Sequence, residues 1–312
     1  MKKIILIVLL ILIVFVGGIA IGNRILPPPQ NVIEREQERL AEKQQKVITD
    51  IAASVLPAKG FKTKIVLGDS IVKLVEAGAI DVVKFETLYS ERGGFTPEQR
   101  KFLTEPSNEP LTINADNSQF LLNLLWPLGI ANKNSALTEL QQTELENPQD
   151  LFGLAATGGW TLGKAENGGE YYNKSEIVKL TPEQDQLVKL VASNIYRPCC
   201  GNSTAFPDCN HGAAMLGLKQ LGAAQGLTEQ ELYKEAVKFN AFWFPEQYTK
   251  MALAFKTFEN KDWDSLDPKT LLSNDYSSNK GFYTNISQPL SKLPAFAPKK
   301  QQGGGGGGGC GV

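Results

Sequence analysis

The chain of 312 residues is short of the residue types that carry most side-chain chemistry, with one histidine, four cysteines and three methionines. A single histidine excludes any site that needs two imidazoles from one chain, such as the paired-histidine zinc motif of metalloproteases. Charge of one sign is lacking too: 32 basic residues face 33 acidic ones, and neither forms a long block. The electrostatic footprint of a phosphate-backbone binder is therefore missing, and no nucleic-acid partner is expected. Four cysteines are too few for a disulfide-stapled scaffold. With 42% hydrophobic residues, a chain of this length can bury a core without one. No repeat of fixed period and no nucleotide-cofactor signature is present.

The scarce residues are not scattered. Cys199, Cys200, Cys209 and His211 fall within thirteen consecutive positions, in the stretch Tyr196-Arg197-Pro198-Cys199-Cys200-Gly201 to Asp208-Cys209-Asn210-His211-Gly212. Apolar residues at Leu187, Leu190, Val191 and Ile195 predict a helix entering this stretch. Ala213, Met215, Leu216, Leu218 and Leu221 predict another leaving it. A helix-loop-helix hairpin would bring the three sulfurs and the imidazole together. Asp208 is the expected N-cap, with Cys209 and His211 in or beside the first turn, where unsatisfied N–H groups favour a thiolate.

Three readings of this cluster stay open. Three sulfurs and one imidazole form a Cys₃His set suited to tetrahedral Zn²⁺ or, with fewer ligands, to Cu⁺, for metal sensing, storage or transfer. Adjacent cysteines chelate one ion only with strain, so one of Cys199 and Cys200 is expected to stay free. The second reading is a thiol-disulfide oxidoreductase using the same cysteines. Cys200–Cys209 is then the easier bond, because the Cα atoms of adjacent residues stand about 3.8 Å apart, below the usual disulfide range. The third is a structural module in which one disulfide or metal pins the hairpin. Nucleophilic catalysis by a cysteine activated by His211 is weaker, since Asp208 or Asn210 would have to orient an imidazole almost adjacent in sequence. Whether the protein is an enzyme stays open.

Met1-Lys2-Lys3 precedes nineteen uncharged, mostly aliphatic residues, Ile4 to Gly22, enough for about 28 Å of helix, one hydrocarbon core. Residues 1–24 therefore read as a transmembrane anchor. The rival, a cleavable signal peptide, has an apolar segment of only about 7–15 residues. Lys2 and Lys3 favour an inward N-terminus, which places the bulk of a single-pass protein on the extracytoplasmic side. Pro27-Pro28-Pro29 is a stiff spacer, and a polar stalk helix is expected from Asn31 to about Val55, completing a segment 25–56. Residues 57–298 form the expected globular domain. Residues 299–312, glycine-rich and ending with Cys310, are expected to be disordered and to let Cys310 reach the cluster on a flexible tether.

Local signals in the body make the fold mainly α, an irregular multi-helix domain. Thr96-Pro97-Glu98-Gln99, Thr181-Pro182-Glu183-Gln184 and Thr228-Glu229-Gln230-Glu231 each read as a capping box. Asn117 to Ile130 is too apolar for a surface helix and reads as the central core helix, with Pro127 kinking or ending it. Further helices are expected over Ser135 to Glu146, Leu151 to Ala156, Glu229 to Phe242 and Pro245 to Phe258. The glycine- and aromatic-rich region 157–172 is expected to be a loop lining a site. Trp126, Trp243 and Trp263 read as core, and Trp160 as either core or ligand contact.

Pro198-Cys199-Cys200-Gly201, followed by Asp208-Cys209 and His211-Gly212 opening a helix, resembles the bacterial exported proteins named for a PCYCGC motif. The likeness covers about fifteen residues, and adjacent cysteines stand here where that family has two cysteines spaced by one. The resemblance implies an exported, membrane-anchored bacterial protein with a metal- or redox-related role. It implies no mechanism.

Overall fold

The computed structural model describes residues 30–143, 150, 152–153, 160 and 162–293. They fold as a mainly helical domain around two buried helices, α5 (Ser118–Ala131) and α8 (Asn210–Ala224). Neither has a polar face to spare for solvent. Every residue from Phe120 to Ala131 is buried, and so is every residue from Gly212 to Ala223. The two helices meet backbone to backbone. A Cβ on Gly129 would lie 1.7 Å from the Ala213 carbonyl oxygen, and one on Gly217 would lie 2.6 Å from that of Leu125. Pro127 does not end α5, which runs four residues past it. Burial on all sides outweighs the lost backbone bond, a defect of about 3 kcal/mol in an exposed helix.

Around this pair stand α1 (Gln30–Val55), α2 (Ser70–Glu76), α3 (Val82–Tyr89), α4 (Pro97–Thr104), α6 (Ser135–Thr143), α7 (Pro182–Asn194), α9 (Glu229–Trp243) and α10 (Pro245–Ala254). All three capping boxes form. Thr96 Oγ1 accepts from the Gln99 amide at 3.2 Å and Gln99 returns the bond at 2.8 Å. The same reciprocal pair closes at Thr181–Gln184 and at Thr228–Glu231. The stalk helix α1 docks its last turns on its own domain: Val55 is buried, Ile51 packs on the core and Val47 is half exposed.

Among the described residues no helix is long and apolar enough to cross a membrane. The run Ile4–Gly22, the Pro27-Pro28-Pro29 spacer and the tail with Cys310 lie outside the described residues, as does most of the Leu151–Ala156 segment.

Three features differ from the sequence-based expectation or go beyond it. A two-stranded antiparallel sheet pairs β1 (Phe61–Gly68) with β2 (Ser107–Ile113), with Phe61 opposite Ile113 and Gly68 opposite Ser107. Thr63, Ile65 and Leu67 point inward while Lys62 and Lys64 stay exposed, the period-two pattern of a half-buried strand. The region around Trp160 and Tyr172 is packed core rather than the lining of a site. Trp160 donates its Nε1–H to the Ala79 carbonyl at 2.5 Å, and Tyr172 donates its hydroxyl to Leu137 O. Beyond Asp262 the polar, proline-rich chain still builds a second small core. The single turns α11 (Pro268–Leu271) and α12 (Asn274–Ser277), and a continuous helical stretch in which α13 (Asn279–Phe282) and α14 (Gln288–Ser291) are joined by a π-helical turn (Tyr283–Ser287), bring Leu271, Ile286 and Leu290 against Met251 and Phe255. In the continuous stretch 279–291, Phe282, Ile286 and Leu290 recur every four residues and line the buried face, a short helical period embedded in polar sequence.

Candidate metal centre

The hairpin expected from the sequence is present. Helix α7 ends at Asn194, a loop runs through Pro198 and Pro207, and α8 departs from Cys209. The cap differs from expectation: Cys209, with extended backbone (φ -132°, ψ 163°), is the N-cap, and its Sγ accepts from the Gly212 amide at 3.4 Å. Asp208 is turned away from the helix to pair with Arg197. A sulfur does the capping because the carboxylate is engaged elsewhere.

The three sulfurs form a tight triangle. Cys199 Sγ lies 3.5 Å from Cys200 Sγ and 3.8 Å from Cys209 Sγ, and Cys200 Sγ lies 3.4 Å from Cys209 Sγ. All three thiols are free, Cys209 buried and the adjacent pair half-buried. A tetrahedral zinc ion with Zn–S bonds of about 2.3 Å sets its sulfurs about 3.8 Å apart, so this triangle is close to the edge length of a metal site. Both adjacent side chains converge on Cys209, but Cys199 groups with His211 and Cys200 with Asp208, so the adjacent pair does not fall in one set of neighbouring ligand atoms.

His211 completes one face. In two overlapping sets, Cys199–Cys209–His211 and Cys200–Asp208–Cys209, the potential ligand atoms lie within 4.8 Å of one another. The imidazole leans on Phe244, ring centroids 4.5 Å apart, and meets Trp243 edge-on at 6.0 Å. Its Nδ1 is buried with no hydrogen-bond partner among the described residues. Burial holds the ring's pKa down to about 4, outweighing the attraction of Cys209, so at neutral pH it is the uncharged form that ligates metals. The carboxylate of Asp208 is a poorer ligand candidate. Oδ1 accepts from Arg197 at 2.5 Å and Oδ2 from Asn202 at 2.9 Å, which engages both oxygens.

Sequence reading missed Arg197. Its side chain is 1% exposed and the loop is wrapped around it. Nε–H donates to Cys209 Sγ at 3.3 Å, Nη1 to the carbonyls of Asn202 (2.6 Å) and Ser203 (3.0 Å), and Nη2 to Phe206 O and Asp208. Of the three sulfurs, Cys209 is the one whose surroundings favour the thiolate. Hydrogen bonds from Cys199 and Cys200 lower its pKa against the opposing effect of burial, and the Arg197 charge adds to them. Cys199 is raised by its bonds to Cys200 and Cys209 and by burial. Cys200 is pushed up to about 12; its bond with Cys199 lowers it, but its bond to Cys209 and burial outweigh that.

Lys219, two turns along α8, was also missed. It is buried, donates Nζ–H to Thr204 Oγ1 at 2.6 Å, and has its pKa pushed well down by burial and then by the Arg197 charge. The C-terminal segment holds the loop from outside. Asn279 N–H donates to the Cys200 carbonyl at 2.9 Å, and Tyr196 N–H donates to Leu272 O at 2.8 Å.

The arrangement offers two chemistries. Soft sulfurs and a neutral imidazole can ligate a thiophilic metal, and Cys209 Sγ, 3.4 Å from Cys200 Sγ and 3.8 Å from Cys199 Sγ, can close with either to a disulfide of about 2.05 Å. No protein-family model, curated protein or solved structure matches the chain, so the choice between these chemistries rests on the geometry of the cluster.

Proposed function

We propose that this protein binds a thiophilic metal ion, Zn²⁺ or Cu⁺, through Cys199, Cys200, Cys209 and His211, for metal sensing, storage or transfer. The observation that carries the reading is the buried, unpartnered Nδ1 of His211 beside a triangle of free sulfurs. A buried polar atom left without a partner costs about 1–3 kcal/mol, and a bound ion removes that cost. A disulfide leaves the imidazole unexplained.

The rival is a thiol-disulfide oxidoreductase, favoured by the 3.4 Å approach of Cys200 Sγ to Cys209 Sγ. Native mass spectrometry of the purified chain, repeated after denaturation and alkylation, separates the two. One bound metal ion with every cysteine alkylatable is the expected result, whereas a stable disulfide with no metal overturns the reading. Cys209→Ser should abolish the metal stoichiometry, and unchanged stoichiometry would sink the four-ligand assignment.

The uncharged run Ile4–Gly22 after Lys2 and Lys3 supports a single-pass anchor with the domain on the extracytoplasmic side. The resemblance to PCYCGC-motif exported proteins agrees with that placement. Retention of the full chain in the membrane fraction after alkaline carbonate extraction is the expected outcome, and release of the intact chain counts against it.

A further inference from the structure

We infer that the adjacent cysteines have different roles: Cys199 is a resident ligand with Cys209 and His211, and Cys200 is the exchange ligand through which the ion passes to and from a thiol-bearing partner. The inference rests on the metal reading above and takes it further, assigning the site to transfer and naming the chemistry of the molecule it trades with.

The division follows from which ligand atoms can meet. Cys199, Cys209 and His211 form one set whose ligand atoms all lie within 4.8 Å of one another, and Cys200, Asp208 and Cys209 form a second. The first set offers two sulfurs and an imidazole, which leaves a tetrahedral ion one open position. Structural zinc sites are closed by four protein ligands, whereas an open position marks a site where something comes and goes. The second set is poorer than its membership suggests, because Arg197 and Asn202 already donate to the two oxygens of Asp208. It supplies two sulfurs, and the rest of an ion's coordination there comes from outside the set. Cys209 belongs to both sets, so an ion moving between them never leaves it.

Depth separates the adjacent pair in the same sense. Cys199 packs against the hydrophobic core and Cys200 does not. Gly201, next to Cys200, is exposed, and a Cβ built on it would meet nothing within 4 Å, so the loop is open there to an approaching molecule. The backbone of Cys200 is held on both sides, its N–H donating to Arg197 O at 3.1 Å and its carbonyl accepting from Asn279 N–H at 2.9 Å. The sulfur can therefore move by side-chain rotation while the loop stays in place. Hand-over is ligand substitution and needs neither oxidant nor reductant. Cys200 and Cys209 bond to an ion that the partner's thiolate still holds, that thiolate leaves, and Cys199 and His211 then displace Cys200. Each thiol releases a proton to water as it binds the ion, and each departing thiolate takes one back. A thiophilic ion is carried on sulfur, so the partner is a thiol: a small one, or a cysteine pair of another protein.

The test uses the full-length, reduced chain with Zn²⁺ as the probe ion. Loading should slow alkylation of Cys199 by iodoacetamide about tenfold or more and leave Cys200 reacting as it does in the metal-free chain, read by fragmenting the peptide that carries both. Equal protection of the two would overturn the inference, a result that depends on no variant folding. Against a chromophoric competing chelator, Cys200→Ser should keep its Zn²⁺ affinity within about tenfold of wild type, whereas Cys199→Ser should lose more than about 100-fold, beyond the range for an outer-shell partner. Equal losses would refute the division of roles. Release of Zn²⁺ to the same chelator should accelerate with added glutathione in the wild type, and Cys200→Ser should reduce that acceleration about tenfold. A wild-type rate indifferent to glutathione, or an unchanged response in the variant, would refute the exchange role. A peptide with a Cys-x-x-Cys pair, used at equal thiol concentration, separates the sources: faster release than with glutathione points to a protein carrier, and equal or slower release to a small thiol. A wild-type chain that binds no Zn²⁺ overturns the metal reading itself, an outcome distinct from binding in which Cys199 and Cys200 behave alike.

Discussion

Gly212 lies directly against the guanidinium of Arg197: a Cβ added to the glycine would sit 2.9 Å from Nη2 and 3.0 Å from Cζ. The arginine cannot yield, because each of its nitrogens is engaged in the loop. In an exposed helix Gly→Ala stabilises by up to about 1 kcal/mol. At this position the sign should reverse. Gly212→Ala is expected to lower stability by about 1–3 kcal/mol, the usual range for overpacking, and to weaken metal binding in the same protein. Chemical denaturation of the metal-free chain and a metal titration read the two effects separately.

The pKa of His211 predicts an acid-sensitive component of stability. In the folded chain the imidazole titrates at about 4, below its ordinary value of 6.5. Between those values the unfolded chain binds the extra proton, so stability rises with pH across this window and falls as acid is added. The contribution is on the order of 3 kcal/mol between pH 7 and pH 4. Carboxylates titrate in the same range, so the informative quantity is a difference. His211→Phe, which keeps a ring against Phe244, should lose less stability than the wild type on going from pH 7 to pH 4 when both are metal-free. Parallel curves would refute the assignment.

Buried Lys219 is expected to be a cost to the fold. Its pKa is pushed well down by burial and by Arg197, so below its unfolded value of about 10.5 the unfolded chain takes up the proton more readily. Wild-type stability should therefore rise toward alkaline pH. Lys219→Met, of similar volume, should stabilise the protein at pH 7 by about 1–4 kcal/mol and flatten that alkaline rise. Thr204 keeps its bond to Ala192, so the loop should survive the change. A destabilised variant would show that the amine makes a contribution beyond its single hydrogen bond.

How much of this could be read beforehand depended on whether the signal was local. Helix starts were legible because a capping box is written in four consecutive residues, and all three formed. The core pair was legible through the unbroken apolar character of α5. The place of the site was legible because its residue types are rare. The strand β1 alternates Thr63, Ile65 and Leu67 with Lys62, Lys64 and Val66, a period-two pattern written in the sequence but only a few residues long. Its partner β2 carries Pro110, which weakens any strand reading.

Arg197 was illegible for a different reason. An arginine is by default a surface residue, and nothing local says that a loop of a dozen residues will close around it. The N-cap differs from expectation for the same cause. Asp208 is the better capping residue in isolation, and only the buried guanidinium draws it away and leaves the role to Cys209.

The bond from Asn279 to the carbonyl of Cys200 also imposes an order of events during synthesis. The cysteine loop is made almost 80 residues before the segment that closes over it, an interval of several seconds at a ribosome's pace of about 5–20 residues per second. For that interval the sulfurs belong to an unfinished loop, open on the side that α13 later covers. Any oxidant met then can pair two of them before the imidazole and guanidinium are in place. The yield of competent protein should depend on the redox poise in which the nascent chain emerges as well as on the ion supplied afterwards.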